Sequence, residues 1–502
     1  MRALVSMAVL PLSLAVPTVR FAPDPATVAI RNVTVIDVVD GTPRAGTTVV
    51  VVGDRIATVG PASEVAIPEG AEVLDGAGGY LIPGLWDMHV HSLETIDGGE
   101  TAPAQDWHLP LFLAHGVTGV RNMNDFTGDV TVELSRATRR ELAEGSRPGP
   151  PRFLTAGPSV DGDPPLGSRK VVVRTAEEAR ATVEQLAAHG ADLVKVYENL
   201  SREAYFAILD EARRREIPVD GHLPFRITPE EAAEAGQRTV EHPDALAAAC
   251  STEAADERER FAAVLADFNS LSDSEQFLVQ FRHSRALYDS LDPAVCVPAL
   301  EAFRRHGVAV TADLVAYHHV VHAQEIVADD ARMRLVPATV RAAWAAMADS
   351  ETFSEFRSIL RPIPPLELET VRLAQEAGVV LLAATDVGVP FQVPGYGLHE
   401  ELERLVAAGL TPLEALQTAT INPARVLGLA DSLGTVDVGK LADLVLLDAN
   451  PLEDIRNTRT IRAVVADGRL YRRADLDRLL AEFEAASPLA ALRRRRGVGL
   501  LP

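Results

Sequence analysis

Two histidines separated by one residue, His89 and His91, close the run Pro83-Gly84-Leu85-Trp86-Asp87-Met88-His89-Val90-His91. The residues before them are apolar and β-prone. In an extended strand alternate side chains share a face, so both imidazoles project together, about 7 Å apart at Cα, close enough to hold one metal ion. His-x-His alone is a weak signal. Other polar residues stand singly at the ends of later apolar stretches. Lys195 closes Ala191 to Val196, His222 follows Ile217 to Gly221, His242 follows Arg238 to Glu241, and Asp386 follows Val379 to Thr385. Tyr197 shares a strand face with Lys195, where a phenol can hydrogen-bond a carbonyl or a tetrahedral oxyanion.

Each residue also has a bland reading. A strand-end lysine is usually a surface cation, His222 or His242 alone would be an ordinary hydrogen-bonded histidine, and Asp386 before Val387-Gly388 would open a turn. Six polar groups ending buried strands are harder to explain separately. Unless they bind something in common, they leave buried donors and charges without partners.

A fold that gathers such residues must bring many strand ends to one place. Strand patterns at 82–90, 117–123, 152–159, 192–198, 217–222, 239–242, 307–315 and 379–386 alternate with helical patterns such as Thr175–His189, Arg202–Arg215 and Pro229–Ala235. Eight strands alternating with helices predict an α/β fold, a (β/α)8 TIM barrel over 81–427, whose C-terminal strand ends share one mouth. A doubly wound sheet would need a Gly-rich phosphate turn after an early strand, and the sequence has none. The stretches 28–80 and 428–472 read as short strands and turns, each too small for its own core, so they predict one small β-sandwich domain formed from both chain ends. Residues 250–300 read as an insertion, either a lid over the mouth or a helical decoration. Residues 473–502 read as a C-terminal tail, with Arg493–Arg496 as a disordered end. His318, His319 and His322, after the seventh strand, read as loop residues.

Lys and Arg total 48 against 71 Asp and Glu, a net charge of −23, which argues against nucleic acid or an anionic membrane as partner. Residues 1–22 have the apolar core of a signal peptide, too short to span a bilayer. The expectation is an exported (periplasmic or secreted) protein with no stable membrane insertion, the alternative being a cytoplasmic one. The two cysteines, Cys250 and Cys296, exclude a thiolate metal site and leave a disulfide or two buried thiols open. A homo-oligomer is compatible with the sequence.

Together, Pro83 to His91, Lys195, His222, Glu241-His242 and Ala384-Thr385-Asp386, followed by Gly409 to Leu416, Ala419 to Ala424 and Gly439 to Val445, resemble the amidohydrolase superfamily. The branch is similar to imidazolonepropionase-like proteins and Xaa-Pro or other metallo-dipeptidases. The resemblance implies a metal-dependent hydrolase with two divalent ions, Zn2+ in the first instance. His89, His91 and Asp386 would hold one ion and His222 and His242 the other, with Lys195 bridging them as an N-carboxylated lysine. It further implies attack by a bridging hydroxide on an amide, peptide or ester bond of a small-molecule substrate, with Asp386 moving the proton and dipeptide-like compounds favoured.

Three departures narrow this. His222 is followed by Leu223-Pro224-Phe225, where some dipeptidases carry His-x-Tyr and base deaminases carry His-x-x-Glu. Lys195 has no counterpart in the mononuclear imidazolonepropionases. The alternatives are a mononuclear cyclic amidohydrolase or deaminase, and a non-catalytic metal-stabilised binding protein.

Overall fold

The computed structural model describes residues 26–93, 104–124, 132–167 and 170–485. The expected signal peptide at 1–22 and the Arg493–Arg496 run lie outside these residues.

Both chain ends build one sheet. Strands Thr27–Ile36, Pro43–Val52, Arg55–Pro61, Glu72–Asp75 and Tyr80–Pro83 come from the front of the chain, and Leu444–Leu447, Ile461–Ala466 and Arg469–Arg472 from the back. They join where Leu444–Leu447 pairs antiparallel with Tyr80–Pro83, in the register Leu444 to Pro83 and Leu447 to Tyr80. The β-branched runs that signalled these strands bury alternate residues in a small core with Val33, Val49, Ile56, Leu81, Leu444 and Val465. All eight strands belong to one hydrogen-bonded sheet, and no separate second sheet of terminal strands stands apart from it among the described residues.

Between the two ends lie parallel strands alternating with helices. Leu85–Val90, Val117–Asn122 and Arg152–Thr155 form one parallel sheet. Val194–Val196, Val219–Gly221, Thr239–Val240, Ala309–Thr311 and Val380–Leu382 follow in that order in a second, extended at its edge by Val160–Asp161 and Val171–Val172. These eight strands fall inside the eight stretches expected from sequence. Hydrogen bonds also run between the two sheets, from Asp192 N to Thr155 O (2.9 Å), Met88 N to Ala383 O (3.1 Å) and His91 N to Val387 O (2.7 Å).

The helices start and stop where local chemistry dictates. Thr175 caps Ala176–His189 by accepting from Glu178 N, and Gly190 ends it in the left-handed conformation. Thr228 and Glu231 form a capping box on Pro229–Ala235. Leu186, Ile208 and Tyr205 then pack on Val194 and Val196, the strand that carries Lys195.

One question left open by the sequence is decided and two expectations are corrected. Cys250 and Cys296 form a disulfide and close a 46-residue span around helices Ala254–Ala266 and Asp273–Asp289. His318 and His319 lie on helix Leu314–Val321 rather than in a loop, with His322 at its C-cap, because Asp313 adopts a left-handed conformation and turns the strand directly into the helix. The C-terminal tail begins with helix Arg473–Ala485, whose Leu476 is fully buried in the main core. No helix among the described residues is long and apolar enough to cross a membrane.

Candidate metal centre

The site is assembled at strand ends, and the backbone there is strained. His242, Asp313 and Asp386, at or just past the ends of three strands, have φ of 64°, 44° and 54°. Such values are uncommon outside glycine and cost roughly 1–3 kcal/mol each when the surroundings impose them. Gly221, with φ +130°, immediately precedes His222, and a Cβ on it would stand 2.2 Å from Val196 O. Only glycine lets the strand pass so close to its neighbour before His222 turns into the mouth.

His89, His91 and Asp386 meet through their ligand atoms. His89 Nε2 lies 3.2 Å from His91 Nε2, His91 Nε2 lies 3.1 Å from Asp386 Oδ1, and His89 Nε2 lies 3.4 Å from the same oxygen. Ligands about 2.0–2.1 Å from a tetrahedral Zn2+ are separated by about 3.3–3.4 Å. The three separations match one face of such a polyhedron, so these residues fit a metal ion. Asp87 holds the two strands in this relation, accepting from Thr385 Oγ1 at 2.7 Å and from Thr385 N at 3.1 Å.

Lys195 Nζ approaches His89 Nε2 to 3.1 Å. The His242 ring lies 4.9 Å from that of His89 and 4.7 Å from that of His222. All six residues expected to bind metal therefore converge. Tyr197 comes with them: its ring lies 4.1 Å from that of His222, tilted by 35°, and Lys170 Nζ sits 3.9 Å from its centroid.

A bed of carboxylates surrounds the imidazoles. His89 Nδ1 lies 3.3 Å from Glu241 Oε2 and 3.6 Å from Asp313 Oδ2, and His242 Nδ1 lies 3.3 Å from Asp313 Oδ2. His222 Nδ1 lies 2.7 Å from Glu198 Oε1. Carboxylates on the far ring nitrogen fix the orientation of metal-binding histidines. Glu241 is itself held by Arg121, which is fully buried, donates to Glu241 and Asp220 and reaches Met88 O through Nε.

Electrostatics follow from this arrangement. Burial works against a charge on His89, as does Lys195, yet Asp386 and Asp313 outweigh both and raise its pKa to about 9. The surroundings of His89 are thus built for positive charge. His222 is driven well below its ordinary pKa by burial, then by His242 and Lys195, which keeps the neutral imidazole a metal requires. Asp386 stays ionised despite its burial because His89 and His91 adjoin it. Burial, with Asp244 and Asp161 nearby, pushes Glu198 up to about 8.

Sequence reasoning missed Asp313, Glu198 and Arg121. Asp313 lies inside the expected 307–315 stretch, where nothing marks its carboxylate as facing His89 and His242. Arg121 carried no signal, since a lone arginine within a strand pattern gives no hint of what it faces.

Imidazoles and a carboxylate in ion-binding geometry at the C-terminal ends of parallel strands define a metal-dependent hydrolase on an α/β fold. The profile of the Amidohydrolase family matches residues 80–471, and the chain belongs to that family. A stretch of 121 residues is 35% identical to adenine deaminase 3 of Rhizobium meliloti (strain 1021), covering 22% of this chain and 20% of that protein. A stretch of 50 residues is 52% identical to the N-acetylglucosamine-6-phosphate deacetylase of Caenorhabditis elegans, covering 10% and 12%. The chain thus spans a fifth or less of the length of these relatives. The bottromycin amidohydrolase structure superposes with a TM-score of 0.66 at 23% identity, over 93% of this chain and 91% of that one. A Xaa-Pro dipeptidase with bound methionine gives 0.63 at 21%, over 89% and 100%. These two likenesses concern the fold.

Proposed function

We propose that the chain is a binuclear metal-dependent amidohydrolase that cleaves the amide, peptide or ester bond of a small substrate, dipeptide-like compounds leading, on a closed (β/α)8 barrel. The observation that carries this reading is the triangle of His89, His91 and Asp386 atoms with sides of 3.1 to 3.4 Å, adjoined by Lys195 and then by His242 and His222. In it, His89, His91 and Asp386 would hold one ion and His222 and His242 the other, with Lys195, as an N-carboxylated lysine, the ligand that both would share. Zn2+ suits this oxygen and nitrogen set. Two bound ions supply Lewis acidity toward a substrate carbonyl and toward water near neutral pH.

The chain's own groups do the rest. Asp386, ionised at neutral pH, takes the proton of the attacking water and returns it to the leaving nitrogen or oxygen. Tyr197 donates its phenol to the carbonyl oxygen as charge develops there. His222 stays neutral, and His222 and His242 are oriented through Glu198 and Asp313. Export to an oxidising compartment accords with the Cys250–Cys296 pair.

The test is metal analysis of the zinc-reconstituted protein, with a screen of dipeptides, N-acyl amino acids and lactones. Two equivalents of metal and hydrolysis of one of these classes are expected. One equivalent would favour the mononuclear alternative, and two with no hydrolysis would favour the binding protein.

A further inference from the structure

A narrow cleft of about 60 Å3 opens beside His222 and His242. Strand-end residues form one wall. The disulfide-closed insertion forms the other, with Arg258 from helix Ala254–Ala266 and His283, Ser284 and Leu287 from helix Asp273–Asp289.

Nearly every charged group along these walls is committed. Glu198 holds His222, Glu241 holds Arg121, and Asp244 accepts from Tyr317. His283 lies 3.0 Å from Glu257 Oε1 and stacks on Phe261, while Arg260, two residues along the helix, pairs with Glu253 and Glu257. Arg258 is half-buried on the same wall and makes no hydrogen bond or ion pair with any described residue. A guanidinium drawn partly out of water without a partner gives up solvation for nothing. Placed beside a hydrolytic centre, its fork of N–H donors matches a planar anion.

We propose that Arg258 binds a free carboxylate of the substrate, so that the lid helix selects amides whose amino-acid part is apolar and ends in that carboxylate. This rests on the hydrolase reading of the centre. Leu223, Phe225, Ile227 and Leu287 line the cleft around it and receive the apolar side chain. Glu198, Glu241 and Asp244 also line the cleft, so a phosphate dianion would meet more repulsion there than a monoanion does.

The experiment compares the zinc-reconstituted full chain with Arg258→Met on matched pairs: Ala-Leu against its C-terminal amide, and N-acetyl-leucine against N-acetyl-leucinamide. The wild type should prefer the free acid, mainly through KM. In Arg258→Met the acid-to-amide ratio of kcat/KM should fall about 10- to 100-fold, the size expected for a charged hydrogen bond, with metal content unchanged. An equal ratio in both proteins overturns the proposal. If the metal-loaded wild type hydrolyses no member of either pair, the hydrolase reading fails separately. Calorimetric binding of N-acetyl-leucine then decides on Arg258: binding weakened by the substitution supports it, and absent or unchanged binding overturns it.

Discussion

Lys195 Nζ lies 3.1 Å from His89 Nε2, although 106 residues separate the two in the chain. Both side chains are buried, and two basic nitrogens at that distance share at most one proton. Such a contact is stable where a further group, here the proposed carbamate and its ions, takes up both. Lys195→Ala should therefore lower metal content from two equivalents toward one and reduce kcat/KM at least 100-fold. Metal analysis beside the rate is the check, and a variant that keeps both would remove the bridging role.

Arg121 makes ion pairs at 2.7 Å with Asp220 and 2.9 Å with Glu241, all three side chains fully buried. Arg121→Met leaves the buried Glu241 without its guanidinium and Asp220 with Arg238 alone. Breaking a buried pair in this way costs about 3–5 kcal/mol. Urea denaturation should show a loss of that order, and a loss below about 1 kcal/mol would contradict the account.

Gly221 occupies a conformation and a space that no side chain fits. Gly221→Ala should cost about 1–3 kcal/mol in backbone strain alone. It should also displace His222, so that of the two proposed metals the one on His222 dissociates first. Stepwise chelation of the variant, read by metal analysis, tests this; retention of both ions with wild-type affinity speaks against a role for His222.

The Cys250–Cys296 disulfide closes 46 residues of chain, including helices Ala254–Ala266 and Asp273–Asp289. On the chain-entropy argument it stabilises the fold by about 4 kcal/mol. Reduction, or replacement of both cysteines by alanine, should lower the unfolding midpoint, and proteolysis should begin between residues 250 and 296. Free-thiol titration of the protein purified without reductant should find none.

His399 is wholly buried, with Nδ1 2.9 Å from Thr458 Oγ1 and Nε2 3.0 Å from His115 O. Burial, then His115 and Arg459, lower its pKa to about 3, whereas the unfolded chain has about 6.5. Its folded pKa is depressed, so the unfolded state binds more protons as the pH falls. The stabilisation is complete above about pH 6.5 and is lost on acidification toward pH 3, reaching about 2 kcal/mol by pH 5. His399→Gln should flatten stability between pH 6.5 and 4; an unchanged slope there would exclude this histidine as the cause.

Much of this molecule was legible in its residues. The eight parallel strands, their alternation with helices and the pairing of the two chain ends follow from periodicity and turn chemistry, which act within a few residues. His89, His91, Lys195, His222, His242 and Asp386 announced themselves because each interrupts an apolar stretch where a polar group needs a reason. Arg121, Asp313, Glu198 and Arg258 gave no such sign. Their meaning lies in what they face, and those groups come from other parts of the chain, up to 120 residues away for Arg121 and Glu241. Local sequence thus determined which side chains could bind a metal. Only the tertiary structure decided that their nitrogens and oxygens stand 3.1 to 3.4 Å apart, because those distances depend on strands brought together by the packing of the whole domain.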